Sequence, residues 1–268
     1  MLLVIDVGNT NIVGGLYTDG RLLHCLRIHT VSKKTEDEYS TMVKAILLDR
    51  GVRPSEVDRV VISSVVPALT GSIIAMCRHL FKVEPLVLGP VLYPDLPLTI
   101  PSPHEIGADL VADALAAFRK TGGPCIVVDF GTALTFTCVG MGGRILGVSI
   151  APGLGTAVNA LSRDTAQLPF VQLEAPTSVI GTDTVTAIQA GVIHGYAGLV
   201  EHLVKRMKQE IGLQAKVIAT GGLCRIIAPL VEAFDDIDPN LTLDGLAYVA
   251  DYCAPRPVQI FSNSESSS

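Results

Sequence analysis

The feature that most limits what this chain can fold into is an internal repeat. The stretch LLVIDVGNTNIVGGLYTDGRLLHCLRI, residues 2–28, returns 123 residues further on as CIVVDFGTALTFTCVGMGGRILGVSI, residues 125–150. Asp6 and Gly8 recur as Asp129 and Gly131, and Gly20 and Arg21 recur as Gly143 and Arg144. Each copy reads as a buried apolar strand, a polar turn, a second strand, a glycine-bearing turn and a third strand. The first copy is followed by patterns for a helix over 36–51, a strand over 58–67, a helix over 70–81, a strand over 84–89 and a helix over 105–117. After the second come a helix over 153–168, a long helix over 183–212, a strand over 215–222 and a last helix over 242–253. A duplicated strand unit interleaved with helices argues for an α/β chain of two lobes, each on a mixed sheet. The lobes are expected to span 1–117 and 118–255, with the last helix packing back on the first lobe. The low-complexity end, within 256–268, is expected to be a disordered tail.

Composition agrees with that outline and narrows the partners. With 268 residues there is chain enough for each lobe to bury its own core. Trp is absent and aromatics are 5%, so the 49% hydrophobic content is mostly small aliphatic side chains suited to helix-on-sheet packing. A net charge of -6 provides no basic field, which argues against nucleic acid and anionic membranes as partners. The apolar start MLLVI meets Asp6 too early for a signal-peptide core, and no run of about 18 apolar residues occurs. A soluble, cytoplasmic protein is expected. Cys25, Cys77, Cys125, Cys138, Cys224 and Cys253 form no CxxC pair and are read as reduced, mostly buried thiols.

Chemistry concentrates at the two turns. A strand ending in Asp-x-Gly before small hydroxyl and amide residues supplies a carboxylate, free backbone N–H groups and tight-turn freedom, a combination that holds a metal-bound phosphate. Taken alone, DVGNT is equally an ordinary hairpin turn. Two such turns, one per lobe, can instead face each other across a cleft and grip a nucleotide. A third element, 216-KVIATGGLCRI-226, ends a strand in Gly221-Gly222 before an apolar helix, where missing side chains allow a ligand near the backbone or make a simple strand-to-helix turn.

In this order, DVGNTN, GAD, DFGTALT, IGTDTVTAIQAGVIHGY and VIATGGL, over about 250 residues, resemble the type III pantothenate kinases of the acetate kinase/hexokinase/Hsp70/actin superfamily. SSVVP at 63–67, IAPG at 150–153 and Leu168-Pro169 agree. The resemblance implies two duplicated actin-like (ribonuclease H-like) lobes with an interlobe ATP cleft, and transfer of the γ-phosphoryl of ATP to pantothenate. It implies Mg2+ with ATP, a monovalent cation (K+ or NH4+) and a homodimer. Asp6, Val7, Gly8, Asn9, Thr10, Asn11, Ile12 and Val13 would form the first phosphate loop, with Asp6 near the divalent ion. Asp129 would bind the monovalent cation and Thr132 would contact ATP, with Gly221 and Gly222 on the adenosine side. Gly107, Ala108, Asp109 and Leu110 would line the pantothenate pocket, with Asp109 as proton acceptor, and Thr184 would contact substrate at a dimer interface.

The family motif GADR reads GADL here, so Leu110 stands where an arginine would offer a two-pronged bond to a carboxylate. A tyrosine common upstream is replaced by Ile100, with Tyr93 the nearest alternative. Three readings stay open: another cation such as Arg163 supplies the charge, the pocket takes a different alcohol, or the chain binds nucleotide as a regulatory protein without turnover. Periodicity also allows a plainer account of 105–117, in which Glu105, Asp109 and Asp113 make a solvated stripe opposite a buried face of Leu110, Val111, Ala114, Leu115 and Phe118. Asp113 is read as helix surface or as support behind Asp109. Gly191, Gly195 and Gly198 give the long helix a small-residue face, either for a second subunit or for packing within the lobe. His194 and His202 lack a third donor at metal spacing, and Ser63 and Ser64 lack a nucleophile elbow.

Overall fold

The computed structural model describes residues 1–164, 168–169 and 171–253. The tail expected over 256–268 and part of the helix expected over 153–168 lie outside them. The first copy of the repeat forms β1 (Leu2–Val7), β2 (Asn11–Thr18) and β3 (Arg21–His29), followed by α1 (Glu36–Asp49), β4 (Arg59–Ser64), α2 (Pro67–Phe81), β5 (Leu86–Val87) and α3 (Ala108–Thr121). The second forms β6 (Cys125–Phe130), β7 (Ala133–Val139) and β8 (Ile145–Pro152), then α4 (Leu154–Asp164), α5 (Thr184–Ile211), β9 (Lys216–Thr220), α6 (Cys224–Ile227), β10 (Asp236–Ile237) and α7 (Leu241–Tyr252). The strand orders are β3-β2-β1-β4-β5 and β8-β7-β6-β9-β10, so the two sheets share one topology. In each, the hairpin strands pair antiparallel and the last two strands add parallel.

Strand β1 is buried on both faces, and alternation along it feeds two cores. Leu3 and Ile5 pack with α1 and α2 through Tyr39, Leu47, Leu69 and Ile73. Leu2 and Val4 point the other way, into a central core with Val111 and Leu115 of α3 and Leu243 and Leu246 of α7. Strand β6 repeats the division: Ile126 and Val128 face α5, while Cys125 and Val127 join the central core. Helices α3 and α7, each the last helix of its repeat, therefore lie between the two sheets, and α7 of the second repeat also packs on β1 and β4 of the first.

Local chemistry sets the helix ends. A capping box of Thr35 and Glu38 starts α1, and Asp183 with Thr186 does the same for α5. Helix α3 begins at Ala108 rather than at 105, because Gly107 is extended and serves as N-cap; left-handed Gly122 ends it. The strand expected over 84–89 reduces to two residues, and the apolar helix expected after Gly222 reduces to the single turn of α6. Strand β10 escapes the sequence pattern at two residues, although its place is the counterpart of β5. Five of the six thiols are buried and Cys25 is exposed; no disulfide joins them. Among the described residues no helix is long and apolar enough to cross a membrane.

Helix α7 approaches α3 so closely that a Cβ on Gly245 would stand 2.0 Å from the backbone oxygen of Ala112. Helix propensity alone gives Gly245→Ala about 1 kcal/mol of added stability. The close approach predicts the opposite sign, a loss of about 1–3 kcal/mol from overpacking. Urea denaturation of the variant decides between them, and a stabilised variant would contradict this packing.

Candidate active site

The parity that sends Leu2 and Val4 inward also sends Asp6 inward, and the same holds for Cys125, Val127 and Asp129. Two carboxylates thus reach the central layer from facing sheets, each at the last positions of its strand. Across the parallel pairs Asp6 stands beside Ser63 and Asp129 beside Thr220, so a buried hydroxyl residue accompanies each acid.

The turns that follow are matched in build. Gly8 N–H donates to the Asn11 carbonyl at 3.0 Å, and Gly131 N–H donates to the Ala133 carbonyl at 3.1 Å. The second turn is one residue shorter, since Val7 pairs with Ile12 but Phe130 pairs with Leu134. Each is braced from behind. Thr30 Oγ1 donates to the Gly8 carbonyl at 2.7 Å, and Thr156 Oγ1 donates to the Thr132 carbonyl at 2.7 Å. Gly153, at the entry to α4, lies so close to Gly131 and Thr132 that a Cβ would meet their carbonyl oxygens within 2.5 Å. The two turns touch through Thr10 Oγ1 and Thr132 Oγ1, which are 2.8 Å apart and exposed. The sequence-expected phosphate loops therefore sit side by side with these two hydroxyls exposed.

Helix α3 delivers two more carboxylates to the same place. Asp109, in its first turn, accepts from the Leu110 N–H at 2.8 Å through Oδ1. Asp113, one turn later, is 1% exposed and accepts from Thr242 Oγ1 of α7 at 2.7 Å. The solvated stripe of Glu105, Asp109 and Asp113 is thus not what forms. Glu105 is exposed ahead of the helix, whereas Asp113 is covered by α7, an element whose position periodicity along α3 cannot reveal. Leu110 is buried, in keeping with the apolar face, and Phe118 is half-buried.

Four acids so placed oppose one another's ionisation. Burial, then the charges of Asp109 and Asp129, raise Asp6 from 3.8 to about 7. Burial and then Asp109 raise Asp129 to about 7. Asp113 is pushed well above the carboxylate range, first by burial and next by Asp129, with Thr242 opposing. Asp109 is raised by burial, against the pull of backbone N–H groups. Tyr93 is buried at the edge of this cluster, where burial and the Asp109 charge raise its phenol to about 12.

Asp6 Oδ1 and Asp113 Oδ2 are buried without a hydrogen-bond partner among the described residues. Such hard oxygens suit Mg2+ and alkali cations. Among the described residues no three His, Cys, Asp or Glu side chains form a metal cage. Mg2+ does not require one, since it is commonly held by one or two carboxylates together with substrate phosphates.

The other expected residues lie in two places. Gly221, at φ +90, is pressed against Asp129: a Cβ there would stand 2.3 Å from Asp129 Oδ1, so the carboxylate itself accounts for this glycine. Gly222 has open space beside it. Thr184, at the start of α5, lines an open groove of about 430 Å³ with Leu161, Leu168, Ala187, Ile188, Gly191 and Val192. Arg163 is exposed in the last turn of α4. Among the described residues nothing lies within 4 Å of a Cβ built on Gly191, Gly195 or Gly198, so the described part of the lobe does not need these glycines for close packing. Of the two places the sequence left open for Asp113, burial excludes the helix surface; Thr242, which holds it, is the residue that sequence reasoning missed.

With folded-state values near 7, Asp6 and Asp129 hold protons between about pH 4 and pH 7 that the unfolded chain has released, so they cost stability as pH rises through that window. Asp129→Asn is expected to gain stability relative to the parent protein from pH 5 to pH 8 by on the order of 2–4 kcal/mol without metal or nucleotide. Denaturant titration at both pH values measures it, and a gain independent of pH would contradict the repulsion described.

Residues 2–206 match the sequence profile of the family described as type III pantothenate kinase. A type III pantothenate kinase of Roseiflexus sp. is 46% identical over 249 residues, covering 93% of this chain and 98% of the relative. Among solved structures, a Campylobacter jejuni protein assigned to the Baf family of transcriptional activators superposes with a TM-score of 0.58 at 18% identity, covering 93% of this chain and 97% of its own. The ethanolamine utilization protein EutJ of Carboxydothermus hydrogenoformans gives a TM-score of 0.56 at 16% identity, over 91% and 88% of the two chains. At these identities the structural likeness speaks for the fold, two actin-like lobes, and for nothing further.

Proposed function

The chain belongs to the type III pantothenate kinase family, and from that premise we infer that it transfers the γ-phosphoryl of ATP to the primary hydroxyl of pantothenate, giving 4'-phosphopantothenate for coenzyme A synthesis. The observation that carries the reading to this chain's own residues is the meeting of the two repeat turns, Thr10 against Thr132, beside the acids of β1, β6 and α3. Of the readings that Leu110 left open, 46% identity along nearly the full chain favours a working pantothenate kinase over a different acceptor or a regulatory role.

The roles we assign are these. The turn from Asp6 to Val13 and the turn at Thr132 bracket the phosphates with backbone N–H groups and hydroxyls, and Gly221 and Gly222 border the adenosine. Mg2+ bound with ATP neutralises charge on the transferring group. Asp6 faces it, and Asp129 faces a monovalent cation, K+ or NH4+. Gly107, Ala108 and Leu110 border the pantothenate. Asp109 orients and deprotonates the hydroxyl: the Leu110 N–H fixes Oδ1, so Oδ2 is the oxygen we give to the proton, and a carboxyl raised by burial is the better base near neutral pH. Tyr93 stands near enough to Asp109 to serve where Ile100 lacks a hydroxyl.

We assign the two repeats as the two lobes expected over 1–117 and 118–255, with the first carried to the end of α3 at Thr121. Arg163 lies about 13.5 Å along α4 from its start, by the helical rise. Arg163 and Thr184 are therefore proposed to act in a homodimer, with the open glycine face of α5 at the contact. A cytoplasmic setting fits this substrate.

The test is a coupled assay of ADP release with and without pantothenate, in K+ or NH4+ and then in Na+. Pantothenate-dependent turnover is expected, and ATP binding without it would sink the reading. Asp109→Asn is expected to lower kcat by about 100–10,000-fold while nucleotide affinity is kept. Full activity in that variant would remove Asp109 from the chemistry.

A further inference from the structure

We propose that Asp113 is the second carboxylate of the monovalent-cation site: Thr242 holds its Oδ1, and its Oδ2 faces the cation that Asp129 binds. The inference rests on the reading above that Asp129 takes such a cation, and it adds residues from α3 and α7 to that site.

Asp113 lies one helical turn beyond Asp109, on the same face of α3. It is 1% exposed, Oδ1 accepts from Thr242 Oγ1 at 2.7 Å, and Oδ2 is buried with no partner among the described residues. A carboxylate oxygen removed from water with nothing opposite it is unfavourable unless a positive charge comes to it. The ionisable groups whose charge reaches it are Asp129 from β6, Asp109 from its own helix and Asp6 from β1, all acidic, with Asp129 foremost; α7 contributes the neutral Thr242. The basic residues of α3 point elsewhere. Lys120 pairs with Asp236 and Asp238, and Arg119 pairs with Asp251 and stacks on Tyr248 at 4.0 Å. A proton on Oδ2 would answer the charge but would create a buried O–H with no acceptor. A cation between Asp113 and Asp129 answers both demands. Carboxylates and a buried hydroxyl are also the hard oxygen donors that alkali ions take.

The bond from Thr242 gives α7 a part in the site. That helix is fixed to the first repeat by Tyr17 Oη, which donates to Asp244 Oδ1 at 2.6 Å, and by the Gly245 contact with Ala112. Thr242 thus aims Asp113 from a helix whose place depends on both lobes, and it acts as a positioning residue.

Two measurements test this without relying on turnover. Crystals of the protein soaked in rubidium chloride are expected to show an anomalous peak in direct coordination with Asp113 Oδ2 and the Asp129 carboxylate. In thermal shift titrations of KCl against choline chloride at equal ionic strength, the K+-specific rise in Tm is expected to vanish in Asp113→Asn. Thr242→Val should raise the K+ concentration for half the effect by about 10–100-fold. A rubidium ion on Asp129 that leaves Asp113 uncoordinated would overturn the proposal, and so would an Asp113→Asn variant with the parental K+ response. A parent protein with no rubidium peak and no K+ response would overturn it too, while pantothenate-dependent ADP release would still stand for the kinase reading. The rubidium experiment uses the unsubstituted protein, so it holds even where Asp113→Asn fails to fold.

Discussion

The contact between α3 and α7, near enough for Gly245 to meet the backbone of Ala112, holds the two sheets at a fixed separation, and the acid cluster exists because of it. Each helix closes one copy of the repeat: α7 packs on β1 and β4 of the first sheet, α3 on β6 and β7 of the second and on β4 of the first, and the two share one apolar core. Between them they exclude water from the inner ends of β1 and β6. Carboxylates that would be ordinary surface groups at a strand end become buried neighbours with raised pKa values. The fold stores unfavourable electrostatics here, which a bound cation relieves.

Duplication explains why the acids converge. A strand buried on both faces sends alternate residues to opposite cores, so the parity of Asp6 in β1 and of Asp129 in β6 directs both to the layer shared by the lobes. The turns then meet through Thr10 and Thr132. The symmetry is broken by α3, which brings Asp109 and Asp113, whereas α7 brings Thr242. One helix thus offers charge and the other a hydroxyl, and the phosphoryl acceptor is given to the charged side.

The sequence made the repeat, the hairpins, the long helices and the family legible, because strand parity and glycine turns are local signals. Asp109 could be singled out by its motif. Asp113 stayed divided between helix surface and support, since along α3 it has the spacing of a solvent stripe and only α7, more than a hundred residues later, covers it. Gly221 shows the same limit. A strand ending in two glycines suggests a ligand, but the first of them makes room for the carboxylate of Asp129 in the neighbouring strand. Strand β10 was too short for a hydrophobic pattern, and only the topology of the first sheet gives it a place.

The central claim is that the two turns and α3 form one phosphoryl-transfer site with Asp109 at the acceptor. A crystal structure with a non-hydrolysable ATP analogue, Mg2+ and pantothenate tests it most directly. The account predicts the primary hydroxyl within about 2.6–3.2 Å of Asp109 Oδ2, with the γ-phosphate between the Thr10 and Thr132 turns. Pantothenate bound with its hydroxyl turned away from Asp109, or nucleotide bound away from those turns, would contradict it.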